Sequence, residues 1–255
     1  MSQKNNFKIS VVTVVFNDVA RLEKTILSVL DQSYANLEYI VIDGGSTDGS
    51  IEIIKSYENR ISYWVSENDD GIYDAMNKGI SKSTGSFINF MNAGDSFYSR
   101  DTINNSFHSV SQDDLAVIDV MYGNHFVDSV GSKREVKPKG IHKIKMGSQF
   151  CHQSAFIATE YHKKNRYNIR NSIAADFEFF YNAYTLGRRF EYIDETISII
   201  APGGVSDLNR VASIVSWWNV VEKHTCINLY FIFRVIREII VGKIKRFCRL
   251  MLHNH

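Results

Sequence analysis

The sequence has little that would place it among disulfide-bonded, zinc-binding or nucleic-acid-binding proteins. Its 255 residues include only three cysteines, Cys151, Cys226 and Cys248, far apart and without C-x-x-C or Cys/His spacing. This excludes a disulfide framework or a zinc site as the organising feature and favours a reducing compartment. The formal net charge of +1 gives no overall basic field for nucleic acid. We therefore expect a cytoplasmic protein without a nucleic-acid partner.

Long apolar runs are also missing. No uninterrupted apolar stretch reaches the roughly 18 residues of a membrane-spanning helix, and the polar residues 1–8 are not typical of a secretory signal peptide. The composition, 44% hydrophobic and 22% charged, is that of an ordinary globular protein. A chain of this length can bury a full core, so we expect one large domain or one domain with a short appendage.

Two phosphate-binding motifs are absent as well. A dinucleotide fold would place G-x-G-x-x-G after its first strand, to hold a pyrophosphate at a helix N-terminus, but Phe16-Asn17-Asp18 stands there. No G-x-x-x-x-G-K-[ST] loop occurs either. The dinucleotide oxidoreductase interpretation loses its main support. A nucleotidyltransferase stays as an alternative, although the basic, glycine-rich phosphate loop that it would need near the N-terminus is absent.

What is present is an alternation of strand and helix patterns. Residues 9–15 are β-branched and apolar, as in a strand covered on both faces, and helical spacing follows, with Asp18 as a possible cap. Further strands are predicted at 37–42, 61–66 and 87–91, and further helices around 51–54 and over 73–81. This alternation predicts an α/β protein with a doubly wound parallel sheet.

Beyond residue 100 the pattern is less regular. We predict a helix at 102–110, strands at 116–121 and 125–130, a basic stretch at 133–145, a helix at 173–186, a strand at 190–200 and a loop at Pro202-Gly203-Gly204. The chain from about Val211 reads as helical. The predicted organisation is a domain over 1–210, with halves at about 8–100 and 101–210, followed by an amphipathic helical tail at 211–255.

Ligands of open parallel sheets bind beyond the carboxyl ends of the strands, so the residues there are site candidates. After the second strand, Asp43 can accept a hydrogen bond from a pyrimidine N–H, and the next glycines let a ring approach the backbone. A capped glycine-rich turn, with Asp48 as N-cap, explains the same residues equally well. After the fourth strand, Asp95 can hold a divalent cation against a diphosphate, although Asn92-Ala93-Gly94-Asp95 alone is an ordinary turn.

Residues 10–17, 25–33, 38–49 and 92–95 jointly resemble the family-2 glycosyltransferases with the GT-A fold. Residues 67–79 are similar to the subgroup that builds bacterial exopolysaccharide, colanic-acid and O-antigen repeat units. The resemblance is firm over about 8–100 and looser over about 145–206, through residues 149–153, 174–178 and 203–206. It implies a GT-A-type, Rossmann-like, mostly parallel sheet flanked by helices.

The resemblance also implies a set of nucleotide and donor contacts, namely Thr13, Phe16, Asn17, Asp43, Ser46, Asp70, Asn92, Ala93, Gly94, Asp95, His152 and Gln153. Asp43 would read the uracil of UDP, and Asp70 would lie near the ribose or donor. The family's metal motif often reads Asp-x-Asp-Asp, whereas this chain keeps only Asp95, so Mn²⁺ or Mg²⁺ is expected on that residue. His152 is equally well explained as a structural residue. Tyr73 and Asp74 either contact donor or acceptor or pack at a helix start.

In the family a carboxylate on a helix of the acceptor half is the general base. Asp176 is the matching residue, and Glu178 is the alternative. The implied reaction is a single displacement with inversion, moving a sugar from a nucleotide donor to a saccharide or lipid-linked acceptor in cell-surface polysaccharide biosynthesis. A catalytically degenerate nucleotide-sugar-binding module is the non-enzymatic alternative. Trp217 and Trp218 either stack on a sugar or belong to the core.

In the tail, Ile236, Ile240, Ile244, Phe247 and Met251 fall on one helical stripe, with Arg234, Lys245 and Arg249 roughly opposite. The segment after Cys226 contains six basic residues and a single acidic residue, Glu238. This balance suits an anionic membrane surface, so we expect peripheral contact with the cytoplasmic face of the inner membrane. A helix packed on the domain or on a second subunit is the alternative. The donor sugar, the linkage and the oligomeric state are not encoded in any recognisable pattern.

Overall fold

The β-branched run near the start of the chain forms the central strand of the parallel half of a sheet. The computed structural model describes residues 7–129, 132–204 and 209–252, and the side chains of 7–128, 134–204 and 209–244 within them. The strands are β1 Ile9–Val15, β2 Leu37–Asp43, β3 Tyr63–Ser66, β4 Phe87–Phe90, β5 Ser96–Phe97, β6 Val120–Ser129, β7 Ser132–Val136, β8 Ala155–Ala158 and β9 Phe190–Ile200. The helices are α1 Val19–Leu30, α2 Ser50–Ser56, α3 Ile72–Lys82, α4 Thr102–His108, α5 Gln112–Leu115, α6 Thr159–Lys164, α7 Ala175–Thr185, α8 Arg210–Val220 and α9 Thr225–Leu252.

Among the described residues the nine strands form one sheet of order β3-β2-β1-β4-β8-β6-β9-β5, with β7 paired to β6. The first four strands are parallel, as the alternation predicts. The doubly wound parallel pattern ends there, because β8 runs antiparallel to both β4 and β6. Pairing in the second half is therefore mixed, with β6 parallel to β9.

The two faces of the sheet carry two separate cores. Alternate residues of β1 point to opposite sides, so Val11 joins a cluster with α1, α2 and α4, while Val12 joins a cluster with α3, α6 and α7. This covering of both faces explains why the early strands are continuously apolar.

The prediction of two strands at 116–121 and 125–130 is wrong. One strand, β6, spans Val120–Ser129, and residues 112–115 form the short helix α5. The register between β6 and β9 shifts around Asn124, so Gly123-Asn124 marks a bulge and not a turn. Val130 lies outside the described residues. Part of the basic stretch, for which the sequence predicts no element, forms β7 and a 3-10 turn at Ile141–Met146.

The beginning of the tail packs on the domain. Phe231 is fully buried, and its ring stacks on Trp218. Trp217 contacts Phe177 and lies under the guanidinium of Arg234. Both tryptophans are thus packing residues, which corrects the sugar-stacking alternative. None of the helices in the described part of the chain is both long and apolar enough to cross a membrane.

Candidate active site

The loops after β1 and β2 are tied together at the carboxyl edge of the sheet. Asn17 adopts a left-handed backbone (φ 48°), and its N–H donates to Ser46 Oγ at 2.8 Å. The N–H of Thr47 in turn donates to Asn17 Oδ1 at 2.8 Å. Asn17 and Ser46, both predicted donor contacts, are therefore brought together, with their side chains holding the two loops.

Asp43 is the last residue of β2, and only one of its two carboxylate oxygens accepts hydrogen bonds. Oδ2 accepts hydrogen bonds from the N–H groups of Gly45 (3.1 Å) and Ser46 (2.9 Å) and from Ser66 Oγ (2.6 Å). Oδ1 is buried without a partner. A buried acceptor without a donor is costly, so Oδ1 is an acceptor suited to a ligand N–H.

The segment after β3 closes this region from the side. A side chain on Gly44 would overlap the carboxylate of Asp69, and the backbone of Gly45 (φ +84°) is in a conformation that favours glycine. Asp69 therefore lies against the Asp43 turn, whereas the neighbouring Asp70 is exposed and its N–H donates to Asp74. The carboxylate placed beside this turn is that of Asp69, which corrects the prediction for Asp70.

Two other predictions near β1 also need correction. Thr13 is fully buried, and its hydroxyl is shared between Tyr39 and the Met91 carbonyl, so it supports the strand end from inside and does not line a pocket. The first N–H of α1, that of Val19, is capped by Asp48 and not by the predicted Asp18. Phe16, in contrast, is 63% exposed and is available to a ligand.

The turn after β4 is buttressed from α1. Gly94 has φ +97°, its N–H donates to Thr25 Oγ1 (3.0 Å), and Thr25 Oγ1 donates to the Asp95 carbonyl (2.6 Å). The Asp95 side chain is nearly buried: Oδ2 accepts from Gln153 Nε2 at 2.5 Å and Oδ1 from the Ala201 N–H at 2.9 Å. Burial raises the pKa of Asp95, although these two hydrogen bonds act in the opposite direction.

A chain of side-chain hydrogen bonds connects this turn to Asp176. Asn92 Nδ2 lies 3.1 Å from His152 Nε2, and His152 Nδ1 lies 3.2 Å from Asp176 Oδ2. With Nε2 accepting from the amide, Nδ1 carries the proton that it donates to the carboxylate. The hydroxyl of Tyr73 donates to Asp176 Oδ1 at 2.8 Å. The fourth strand end and the predicted base therefore form one polar network.

Asp176 stands in the first turn of α7, where the helix dipole favours a negative charge. Burial by itself would raise the pKa of Asp176, but the hydrogen bonds from His152 and Tyr73 outweigh it and keep that pKa below its ordinary value. About a quarter of the side chain is exposed. Asp176 is thus an ionised carboxylate with access to solvent.

Glu178 does not share this position. Its carboxylate accepts from Asn168 (3.0 Å) and Asn171 (2.8 Å) on a different side of α7, in an open groove of about 450 Å³. The structure therefore separates the two candidate bases and leaves Asp176 in the network with the strand ends.

Three functional candidates were missed or left open by the sequence. Tyr73 was left between ligand contact and packing, and its bond to Asp176 spans 103 positions of the chain. For the segment after β3 the family resemblance pointed to Asp70 and not to the adjacent Asp69. The third candidate is Arg21, whose guanidinium lies beside Gly94. Its Cζ atom is 3.4 Å from the point that a Cβ atom would occupy if residue 94 had a side chain. A cation beside the Asn92 to Asp95 turn has no local sequence signal, because helix α1 brings it there.

The turn at Asn92 to Asp95 provides few of the ligands that a divalent cation needs. No group of three His, Cys, Asp or Glu side chains suited to a metal occurs among the described residues. Asp95 alone supplies a carboxylate, and each of its oxygens already accepts one hydrogen bond. Mg²⁺-like ions are commonly held by one or two carboxylates together with substrate phosphates. The residues thus fit a cation whose remaining ligands come from a bound diphosphate.

The amino-acid sequence is similar to those of known glycosyltransferases. The sequence profile of Glycosyl transferase family 2 matches residues 10–190. An uncharacterized glycosyltransferase of Mycobacterium tuberculosis is 34% identical over 180 residues, which cover 69% of this chain and 68% of the relative. The predicted family is confirmed.

Two solved structures share the fold at low sequence identity. S. aureus TarS 1-349 in complex with UDP-GlcNAc superposes with a TM-score of 0.64 and 18% identity, covering 88% of this chain and 70% of that one. The mannosyltransferase PcManGT from Pyrobaculum calidifontis, in complex with GDP-Man and Mn²⁺, gives 0.66 and 15%, with coverage of 90% and 69%. The predicted GT-A-type α/β fold is confirmed by these likenesses.

Proposed function

Since this chain belongs to glycosyl transferase family 2, we propose that it transfers a sugar, with inversion, from a UDP-sugar to a hydroxyl of a saccharide or lipid-linked acceptor. The biological setting that we propose is cell-surface polysaccharide biosynthesis, as in the exopolysaccharide and O-antigen subgroup that residues 67–79 resemble. One observation carries the proposal: hydrogen bonds through His152 join the turn that ends in Asp95 to an ionised carboxylate, Asp176.

The free oxygen of Asp43 supports UDP over GDP as the nucleotide. Uracil presents one N–H between two carbonyls, whereas guanine presents an N–H beside an amino group and would use two acceptors. Asp43 Oδ2 already accepts three hydrogen bonds, and only Oδ1 has no partner. A single free acceptor matches the single N–H of uracil. Phe16, Asn17 and Ser46 lie around the same strand ends and complete the proposed nucleotide site.

The donor's diphosphate is proposed to lie at the turn formed by Asn92, Ala93, Gly94 and Asp95, with Gln153 orienting the Asp95 carboxylate. A divalent cation held there by Asp95 would offset negative charge on the departing diphosphate. Arg21 provides a second positive charge beside Gly94.

Asp176 is proposed as the general base. It takes the proton from the acceptor hydroxyl, that oxygen forms a bond to the anomeric carbon, and the bond from that carbon to the diphosphate oxygen breaks. The nucleoside diphosphate leaves with the bonding electrons. Attack opposite the leaving group inverts the anomeric configuration. At neutral pH the Asp176 carboxylate is deprotonated, as a general base must be, although its lowered pKa makes it a weaker base than an unperturbed Asp.

Peripheral membrane contact through α9 is part of the proposal. Beyond its packed first turns the helix exposes Phe233, Ile236, Ile240 and Ile244, each at least half exposed. Arg234 instead docks on the Met146 carbonyl and on Trp217, so it is not available to lipid as the stripe pattern predicts. The remaining basic residues of the tail suit an anionic surface. The exposed stripe supports binding at the cytoplasmic face, where a lipid-linked acceptor would be presented.

Product analysis tests the proposal. The protein is incubated with a panel of UDP-sugars and GDP-Man, with Mn²⁺, in the presence of a lipid-linked saccharide, and products are identified by mass spectrometry and NMR. We expect transfer from one UDP-sugar, with the anomeric configuration inverted. Retention of configuration would refute the single displacement. Tight UDP binding without transfer to any acceptor would instead indicate a binding module.

A further inference from the structure

We propose that Tyr73 and His152 are positioning residues that hold the Asp176 carboxylate in a fixed orientation and at a fixed place relative to the donor turn. This inference rests on the proposed role of Asp176 as the base. It assigns a task to two residues that were otherwise attributed to donor contact or to packing. We call these two residues the clamp.

The clamp engages both oxygens of the carboxylate from different parts of the fold. Tyr73 belongs to α3 and donates to Oδ1 at 2.8 Å, and His152 belongs to the 3-10 turn His152–Ser154 and donates to Oδ2 at 3.2 Å. A carboxylate held by one donor can still rotate about its terminal torsion, which is broad. Two donors on opposite oxygens remove that freedom.

The clamp leaves the base able to accept a proton. Each carboxylate oxygen has two lone pairs, and the clamp uses one on each. About a quarter of the Asp176 side chain is exposed, whereas only 13% of the His152 side chain is. The clamp therefore leaves one lone pair on each oxygen able to take a proton, on a side chain that solvent reaches.

Both clamp residues are themselves held. Tyr73 is 7% exposed, and its ring packs on Tyr167 with centroids 5.4 Å apart. His152 precedes Gln153, which is bonded to Asp95. Rigid supports of this kind are what precise orientation of a catalytic group requires.

His152 additionally links the base to the donor turn. Its Nε2 accepts from Asn92, which belongs to the same four-residue turn as Asp95. The separation between Asp176 and the site of the diphosphate is therefore set by one imidazole ring. Both ring nitrogens are engaged in this way, so His152 has no free nitrogen for the donor that the family resemblance assigns to it.

Four conservative variants test the clamp with the full chain, using UDP-GlcNAc or whichever UDP-sugar proves active. Tyr73→Phe removes only the hydroxyl. His152→Asn keeps an amide nitrogen where Nδ1 stood, and His152→Gln keeps one where Nε2 stood. Tyr167→Phe is the matched control, because the Tyr167 hydroxyl is buried beside the same network but has no hydrogen-bond partner. Folding is checked by Tm.

We expect Tyr73→Phe and His152→Gln to lower kcat about tenfold with donor KM nearly unchanged, since the carboxylate loses one of the two donors that fix its orientation. The acid limb of the kcat profile should move up by about one pH unit, because the lost donor stabilised the ionised form. The groups facing this network are Asp176, His152, Tyr73, Tyr167 and, beyond the imidazole, Asp95. His152→Asn should keep its acid limb near the parental position, and Tyr167→Phe should behave as the parent.

Asp176→Asn separates failure of the clamp from failure of the base. If that variant is inactive while Tyr73→Phe and His152→Gln keep the parental kcat and acid limb, the clamp is refuted and the base stands. If Asp176→Asn is as active as the parent, the proposed base is wrong. A rise in donor KM at unchanged kcat in His152→Gln would show donor contact and overturn the positioning role.

Discussion

At the scale of single residues, the site contains carboxylates that hydrogen bonding prepares for different tasks. Asp43 is fully buried and has one oxygen locked by three donors and one without any. Asp176 is partly exposed and has one donor on each oxygen. The first arrangement presents a single acceptor of fixed direction, and the second presents a fixed but reactive carboxylate. The neighbours of the same side chain thus suit it to the proposed recognition role in one place and to the proposed chemical role in the other.

The role of Asp176 predicts the effect of a single substitution. In Asp176→Asn the amide still bonds to its neighbours but cannot take a proton, so turnover should fall by about 10² to 10⁴ with donor binding nearly intact. Initial rates and UDP affinity measure the two effects. Glu178→Gln, two positions away in the separate groove, is the control and should keep more than half of the activity. If Glu178→Gln loses turnover and Asp176→Asn keeps it, Glu178 is the base and Asp176 is not.

The free oxygen of Asp43 predicts a loss of nucleotide affinity. Asp43→Asn keeps a carbonyl oxygen for Gly45 and Ser46 but turns an N–H donor towards the N–H of uracil. UDP affinity should therefore fall about tenfold to a hundredfold. Isothermal titration calorimetry measures it, and the Tm of the ligand-free variant controls for folding. An affinity within threefold of the parent would contradict the assignment of the nucleobase site.

At the scale of elements, polar side chains fasten both ends of the parallel strands. At the carboxyl edge, Asp48 caps α1 from the next loop along. At the opposite edge, Glu38 is nearly buried between Lys8, Ser10 and Thr84, with distances of 2.5 to 2.7 Å. Burial alone would raise the pKa of Glu38, but these three partners outweigh it and lower the pKa from 4.5 to about 2.

This shift predicts how the stability of the sheet depends on pH. A depressed pKa stabilises the fold above the unfolded value, and that contribution is lost as pH falls from about 4.5 towards 2. At pH 7 we expect Glu38→Gln to lower the free energy of unfolding by at most about 3 kcal/mol. Urea denaturation between pH 7 and pH 3 should show that the difference in free energy of unfolding between variant and parent becomes smaller below about pH 4.5. A difference that stays constant over this range would refute the linkage.

The strand whose pattern reflects burial on both faces was predictable from sequence. β1 begins and ends at the predicted residues. β9 also has the predicted bounds, although most of its residues are only partly buried. The sequence instead predicts two strands, 116–121 and 125–130, where the single strand β6 stands. Its continuity depends on pairing with β9, some 70 positions away, and such pairing leaves no local pattern. The family resemblance likewise pointed to Asp176 and His152, but not to the bond between them.

At the scale of the whole molecule, the site is assembled from distant segments. Asn92, His152 and Asp176 meet only when β4, the 3-10 turn before β8 and α7 are all in place. The residue types were predictable, because each stands at a strand end or helix start. Their mutual contacts were not, because they depend on the mixed pairing of the second half of the sheet.

The single carboxylate at the donor turn predicts how a metal would bind. Mn²⁺ alone should leave the Tm unchanged, since Asp95 offers too few ligands, whereas Mn²⁺ with UDP should raise the Tm above the value with UDP alone. Differential scanning fluorimetry measures these shifts. Asp95→Asn should remove the extra increase. Stabilisation by Mn²⁺ without nucleotide would indicate a preformed site, and no effect of Mn²⁺ on the UDP shift would show that binding needs no metal.

The exposed stripe of α9 predicts lipid binding. Replacing Ile236, Ile240 and Ile244 with Gln should weaken binding to phosphatidylglycerol vesicles at least about tenfold, because these side chains lose apolar contact with the membrane. Cosedimentation measures it. The matched control replaces the exposed Val117, Ile169 and Leu186 with Gln. The triple substitution leaves in place the buried Phe231, which packs the start of α9 on the domain. Equal binding by both triple variants would contradict the assignment.

The antiparallel pairing of β8 with β4 has a consequence for exchanging parts between enzymes. Residues 87–90 of β4 are fully buried and pair with β1 on one side and with β8 on the other. A fragment ending near residue 100 would expose this apolar strand as an open edge, which invites aggregation. The first hundred residues, proposed to bind the nucleotide, therefore cannot serve as a cassette to be fused to the second half of another enzyme. Engineering a new acceptor preference in this chain has to proceed through its loops, with the sheet left whole.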